Sequence, residues 1–164
     1  MMQPFQITAA TLAEAETIAA FNIALALETE GKKLDPPTVL AGVRAVLTDP
    51  SKGQYFVARL VEGNEAGMII GQLMVTVEWS DWRNGPLWWV QSVFIRKDHR
   101  RRGVFRALFR HLLEAAQAES VPAVRLYVEE HNAAAQATYS ALGMQPAGYF
   151  VLERSLTDPS NRGG

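Results

Sequence analysis

The run from Leu87 to Glu119, LWWVQSVFIRKDHRRRGVFRALFRHLLEAAQAE, limits the fold more than any other part of the chain. Leu87 to Ile95 is strongly apolar and reads as a buried β-strand. A short basic turn follows, with three consecutive arginines and Gly103. Beyond it, Phe105, Phe109, Leu112 and Ala116 recur at helical spacing. The first turn of a helix leaves its N–H groups unpaired and carries partial positive charge. Gly103 has no Cβ, so an anion can approach the backbone closely there. A strand, a glycine-bearing turn and a helix N-terminus together suit a phosphate group. Arg100, Arg101 and Arg102 add attraction and side-chain donors for phosphate oxygens. The same arginines could instead be a solvated charge run or a nucleic-acid contact. Neither a P-loop Gly-Lys-Ser/Thr nor a GxGxxG pattern is present.

Bulk properties bear on those alternatives. Lys+Arg and Asp+Glu nearly cancel, for a formal net charge of -1. A general polyanion binder is usually basic, so the arginine run is a local feature and no nucleic-acid partner is expected. At 164 residues with 48% hydrophobic composition, the chain is the size of one domain with a substantial core. The absence of cysteine excludes disulfides and thiolate chemistry. The N-terminus lacks a basic region followed by an apolar run, so no secretory signal is expected. No apolar stretch approaches the roughly 20 residues that span a bilayer. A cytoplasmic protein without a metal or a membrane partner is the expectation.

The remaining pattern alternates strands and helices. Phe5 to Thr8 reads as a short strand. Thr11 and Glu14 form a capping-box signature before a helix carrying Ile18, Phe21 and Leu25 inward, ended by Gly31. Asp35-Pro36-Pro37 opens a second helix with Val39, Val43, Val46 and Leu47 on one side. Tyr55 to Val61 and Met68 to Glu78 read as an antiparallel hairpin joined by EGNEAG, and WSDWRNGP from Trp79 as a loop. After the helix from Gly103 to about Glu119, a strand is expected over Ala123 to Val128. A short helix from Asn132 to Leu142 follows, and a last strand from Tyr149 to Leu156. One domain over residues 1–156 is implied, with a short flexible tail over 157–164.

The turn and a second stretch, EEHNAAAQATYSALGMQPAG from Glu129 to Gly148, together resemble the GNAT superfamily of N-acetyltransferases. That family's turn reads Gln/Arg-x-x-Gly-x-Gly/Ala between the fourth strand and the third helix. Arg100 and Gly103 match its first and fourth positions, and Phe105 departs at the last, where a small residue is usual. The second stretch matches in an Asn after the fifth strand, a Tyr along the helix, then Leu-Gly. Asn132 and Tyr139 lie about two helical turns apart and so share a face. The plain structural alternatives are a helix cap for Asn132 and a half-buried core role for Tyr139.

The resemblance implies an α+β fold. Its mixed, mostly antiparallel sheet has six to seven strands, about four flanking helices and a V-shaped splay between the fourth and fifth strands. It implies acetyl-CoA as cosubstrate in that opening. Val93, Phe94 and Ile95 would line the acetyl group and pantetheine arm. The turn Arg100, Arg101, Arg102, Gly103, Val104, Phe105 and Arg106 would hold the diphosphate, Asn132 would contact the pantetheine or order a nearby water, and Tyr139 would lie at the thiol end. The partner would be a small-molecule or peptide amine, and a homodimer is compatible with the family. Acyl transfer to an amine needs a base, because an amine with a pKa near 10 is mostly protonated at neutral pH. It also needs donors for the oxyanion and an acid for the departing thiolate, for which Tyr139 is the candidate. With no cysteine available, direct transfer in a ternary complex is favoured. Relatives often place a glutamate on the fourth strand, where this chain has Gln91 and Ser92. The base therefore stays open among a water chain, Glu28, Glu30, Glu78, Asp81, His99 and His131, the two histidines lying in charged, solvated loops. Glu28, Glu30, Asp81, Trp82 and Gln91 are candidates for the acceptor pocket, with Trp79 and Trp88 as further aromatic walls. A non-catalytic acyl-CoA sensor is the alternative function.

Overall fold

The computed structural model describes residues 4–156. They divide into two compact units, one ending at Leu126 and one beginning at Tyr127. The expected C-terminal tail, 157–164, lies outside the described residues.

The first unit is built on a five-stranded sheet. Its strands are β1 (Phe5–Ala9), β2 (Gln54–Leu60), β3 (Ile69–Ser80), β4 (Gly85–Ile95) and β5 (Val124–Leu126), in that order across the sheet. The first four pair antiparallel, and β4 pairs parallel with β5. A parallel pair cannot be closed by a tight turn. The crossover is α3 (Val104–Ala118). The mixed, mostly antiparallel sheet is thus as expected, with one correction. Tyr149 to Leu156 forms no strand. β-Propensity reports fit to a neighbouring pleated surface more than any intrinsic backbone preference. A β-rich segment without a ladder therefore stays irregular.

Two helices cover one face. α1 (Ala15–Glu30) follows a single 3₁₀ turn whose Thr11–Glu14 capping box forms as expected. It ends in a left-handed Gly31, with the Lys32 N–H returning to the Ala26 carbonyl at 3.2 Å. α2 (Pro36–Thr48) is capped by Asp35, which accepts from the Thr38 N–H at 3.0 Å. Ala15, Ile18, Ala19 and Val43 pack on Tyr55, Val57 and Ile69. α3 turns its own buried stripe inward: Val104, Leu108, Phe109, Leu112 and Ala116. A polar chain ties α1 to the sheet. Gln72 Nε2 donates to Asn22 Oδ1 at 2.6 Å, and Asn22 Nδ2 donates to the Tyr55 hydroxyl at 3.1 Å.

Gly71 on β3 fixes how closely α3 starts against the sheet. A Cβ there would lie 2.6 Å from Ile95 Cδ1 and 3.2 Å from Val104 Cγ1. The missing side chain lets the first residue of α3 pack on the end of β4. The loop expected from Trp79 is also shorter than its composition suggests. Trp79 pairs with Pro86 and Ser80 with Gly85, leaving a tight turn with Asn84 at φ 47°.

The second unit contains α4 (Ala133–Ala141). Asn132 caps it, its Oδ1 accepting from the Ala135 N–H at 3.0 Å. Gln136 Nε2 reaches back to the Glu130 carbonyl at 2.8 Å, and Gly143 follows the helix at φ 86°.

Glu14 closes the capping box and accepts from Arg59 at 2.6 Å, with its side chain 15% exposed. Burial raises its pKa, but hydrogen bonds from Thr11 and the Arg59 charge outweigh this and hold the carboxyl below its ordinary value. Its contribution is therefore present above the ordinary carboxylate range and is lost as pH falls through the lowered value. Glu14→Gln is expected to lower unfolding free energy by about 1–3 kcal/mol at neutral pH. In urea melts the difference from wild type should close as the pH is taken down through the carboxylate range.

Candidate active site

The site begins at a bulge in β4. Leu73 faces Val93 but Val75 faces Val90, so Gln91 and Ser92 together oppose Met74. Beyond the bulge the Arg96 N–H donates to the Ile70 carbonyl at 2.9 Å. Bonded and non-bonded pairs alternate along an antiparallel ladder. In this register Phe94 bonds to β3, while the peptide groups of Val93 and Ile95 turn to the opposite edge. β5 covers that edge only as far as Val90, opposite Leu126. The two strands therefore part company at the bulge, as the splay requires.

The turn after β4 is built from backbone conformation. Lys97–His99 is one 3₁₀ turn. His99 is 6% exposed, with Nδ1 3.0 Å from the Asp98 carboxylate. This corrects the expectation of a solvated histidine: the 3₁₀ turn directs the ring inward. Asp98 is also held by Arg96, whose hydrogen bonds keep its carboxyl well below the usual range. Arg101 and Gly103 are left-handed, at φ 61° and 78°. Gly103 stands at the N-cap of α3, and no side-chain cap hydrogen bond forms there among the described residues. Ala107 donates to the Gly103 carbonyl at 3.0 Å, so Val104, Phe105 and Arg106 precede the first full helical hydrogen bond. Phe105 is half-buried, its ring 5.9 Å from that of Phe109 along the helix. It therefore packs along the helix, which accounts for a bulky residue where relatives have a small one.

The arginines are not equivalent. Arg101, Arg102 and Arg106 are exposed and make no ion pair among the described residues. Arg100 donates to the Glu28 carboxylate at 2.7 Å, and its Nε donates to the Ile95 carbonyl at 2.9 Å. Its guanidinium lies over the Phe94 ring, 5.7 Å from the centroid.

The proposed acceptor residues are not brought together. Glu28 sits at the β4 exit, its carboxyl held below the ordinary value by the Arg100 hydrogen bond. Glu30 pairs with Lys32 at 2.8 Å. Asp81 and Trp82 occupy the β3–β4 turn, at the other end of β4 and on the order of 30 Å away along the strand. Trp82 is 92% exposed there, and Trp88 is buried in the core rather than lining a pocket. Only Gln91 lies beside the bulge, where its Nε2 donates to Thr76 Oγ1 at 2.9 Å.

Trp89 and Arg125 as the partners of Glu78 escaped the sequence reading. On the face bearing Gln91, Trp89 Nε1 donates to Glu78 at 2.9 Å, and Arg125 lies 3.5 Å from the same carboxylate. The available signal was alternation: Thr76 and Glu78, and Trp89 and Gln91, are polar or amphipathic at every second position of otherwise apolar strands. In the second unit the Asn132 carbonyl oxygen serves the helix cap, and His131 is exposed. Burial raises the Tyr139 pKa.

A strand that outruns its parallel neighbour, followed by a helix start with open N–H groups, suits an anionic group. The Acetyltransferase (GNAT) family pattern matches residues 20–144, and the chain belongs to that family. A possible acetyltransferase from Clostridium difficile 630 is 40% identical, with a TM-score of 0.86 over 94% of this chain and 99% of that one. An aminoglycoside N-acetyltransferase in complex with CoA shares the fold at 16% identity and TM-score 0.75, covering 96% of this chain and 98% of its own. A ribosomal-protein-alanine N-acetyltransferase from Brucella melitensis biovar Abortus 2308 does so at 15% identity and TM-score 0.70, covering 93% of this chain and 100% of its own. No curated protein matches the chain. No helix among the described residues is long and apolar enough to cross a membrane. No cluster of three or more metal-ligating side chains forms among them.

Gly103 has open space where a Cβ would stand, so its backbone conformation is what demands glycine. Gly103→Ala is expected to lower stability by about 1 kcal/mol through left-handed strain. Thermal unfolding of the two proteins checks this.

Proposed function

We propose that the chain transfers an acetyl group from acetyl-CoA directly to a primary amine of a small molecule or peptide. The observation that carries this is the start of α3, where no side-chain cap forms among the described residues, beside three exposed arginines that make no ion pair among them, at the point where β4 outruns β5. These groups fit a diphosphate. Backbone donors from Arg101 to Arg106 would hold it, with the exposed guanidiniums of Arg101, Arg102 and Arg106 supplying charge. The outward-turned peptide groups of Val93 and Ile95 would line the pantetheine arm, beside Phe94. The Ile95 carbonyl already accepts from Arg100, which leaves its N–H as the available group. Asn132 retains its amide N–H donors beyond the cap it makes.

Chemistry then follows in three steps. A base takes a proton from the ammonium. The amine nitrogen attacks the thioester carbonyl, and the Val93 N–H stabilises the oxyanion. The C–S bond breaks, the thiolate takes a proton from the half-buried Tyr139 phenol, whose pKa burial raises, and the second proton of the attacking nitrogen passes to the phenolate to leave a neutral amide. Glu28, Glu30 and Glu78 are each engaged by cations or donors. A water chain beside Gln91 is the better base. The same engagement favours the second reading, an acyl-CoA sensor without turnover.

The test is thiol release across a panel of amines, run beside CoA calorimetry. Release with at least one amine is expected. CoA binding without release from any amine supports the sensor, and nucleic-acid binding without CoA binding contradicts both. Tyr139→Phe should lower kcat by roughly 100-fold while leaving the CoA Kd nearly unchanged. Unchanged turnover removes Tyr139 as the acid.

A further inference from the structure

We infer that Glu28 positions the diphosphate turn, strengthening CoA binding although it carries the wrong charge to touch a phosphate. The inference rests on the acetyl-CoA reading above. Glu28 lies in the last turn of α1 and is separated from Arg100 by 72 residues. Its carboxylate accepts from Arg100 at 2.7 Å and pairs with Lys97 at 3.2 Å. One side chain therefore grips both ends of the short turn that carries the chain from β4 to Arg101. Arg100 is committed three ways. It donates to Glu28, its Nε holds the Ile95 carbonyl, and its face lies over Phe94. Phe94 in turn packs on Phe21 of α1, with ring centroids 4.8 Å apart. The helix thus holds the strand's end through a ring and the following turn through a carboxylate.

The next residue explains why such a grip matters. Arg101 is left-handed at φ 61°, a conformation that a non-glycine residue keeps only where its surroundings enforce it. Arg100 is the adjoining peptide unit, so its anchoring sets the direction in which the following N–H groups point. In this arrangement Arg100, the matched first position of the family's turn, is a strut. The exposed Arg101, Arg102 and Arg106 are left for the ligand.

Two physical accounts predict opposite signs. If only charge mattered, a carboxylate near a diphosphate would repel it, and its removal would tighten binding. If Glu28 holds the turn, its removal loosens the donors and weakens binding. Calorimetry with CoA on wild type, Glu28→Gln and Glu28→Asp separates them, with circular dichroism to confirm folding. Glu28→Gln should raise the CoA Kd about tenfold, and Glu28→Asp should recover part of the loss. Arg100→Gln should weaken binding comparably, and the double variant should be no worse than Arg100→Gln alone. At saturating acetyl-CoA, kcat should stay within about twofold while KM for acetyl-CoA rises. Amide exchange measured without ligand should be faster over residues 100–106 in Glu28→Gln. Equal or tighter CoA binding by Glu28→Gln overturns the inference, as does unchanged amide exchange. A wild-type chain that binds no CoA overturns the acetyltransferase reading instead.

Discussion

The constraint on which the site depends is the docking of α3 against the end of β4. A helix must leave its first N–H groups without intrahelical acceptors, and the starts of α2 and α4, and of the 3₁₀ turn ahead of α1, are closed by side chains. Asp35 serves α2, Asn132 serves α4, and Thr11 with Glu14 serves the turn that opens α1. The start of α3 has no such cap. It is held in place by apolar contacts, with Val104, Leu108, Phe109 and Leu112 buried and Gly71 leaving room for Val104. Packing fixes the position of donors for which no side-chain cap forms among the described residues. That is how a binding site can be rigid and still have hydrogen bonds to give.

The charges around this point divide into two kinds. Arg96 pairs with Asp98, Lys97 and Arg100 both pair with Glu28, and these ion pairs shape the turn. Arg101, Arg102 and Arg106 stand exposed beyond it. A surface ion pair contributes little to global stability, typically 0 to about 1 kcal/mol. The value of the first group therefore lies in geometry. The bulge in β4 acts in the same sense. By adding a residue opposite Met74 it turns Val93 and Ile95 toward the edge that β5 has left.

Much of this was legible in the sequence because it depends on local rules. The strand over Leu87–Ile95, the glycine and the amphipathic helix are read directly from hydrophobic period and turn chemistry, and so are the capping box at Thr11 and the helix start at Asp35-Pro36-Pro37. What failed depends on distant partners. Tyr149–Leu156 had strand composition but forms no ladder. Glu28 looked like a pocket carboxylate because nothing local reveals a partner 72 residues away. Asp81 and Trp82 were grouped with Glu28 by chemistry, yet the length of β4 separates them. His99 sits among charges in the chain but is buried in space, since a 3₁₀ turn aims successive side chains in different directions.

The central claim is that backbone donors just past β4 bind a diphosphate. Titration of isotope-labelled protein with CoA, followed through its amide resonances, tests it most directly. The account predicts that the largest shifts fall on the amides of Arg101 to Arg106 and weaken as salt is raised. CoA that binds while leaving those amides unmoved, with its largest shifts elsewhere in the chain, would contradict it.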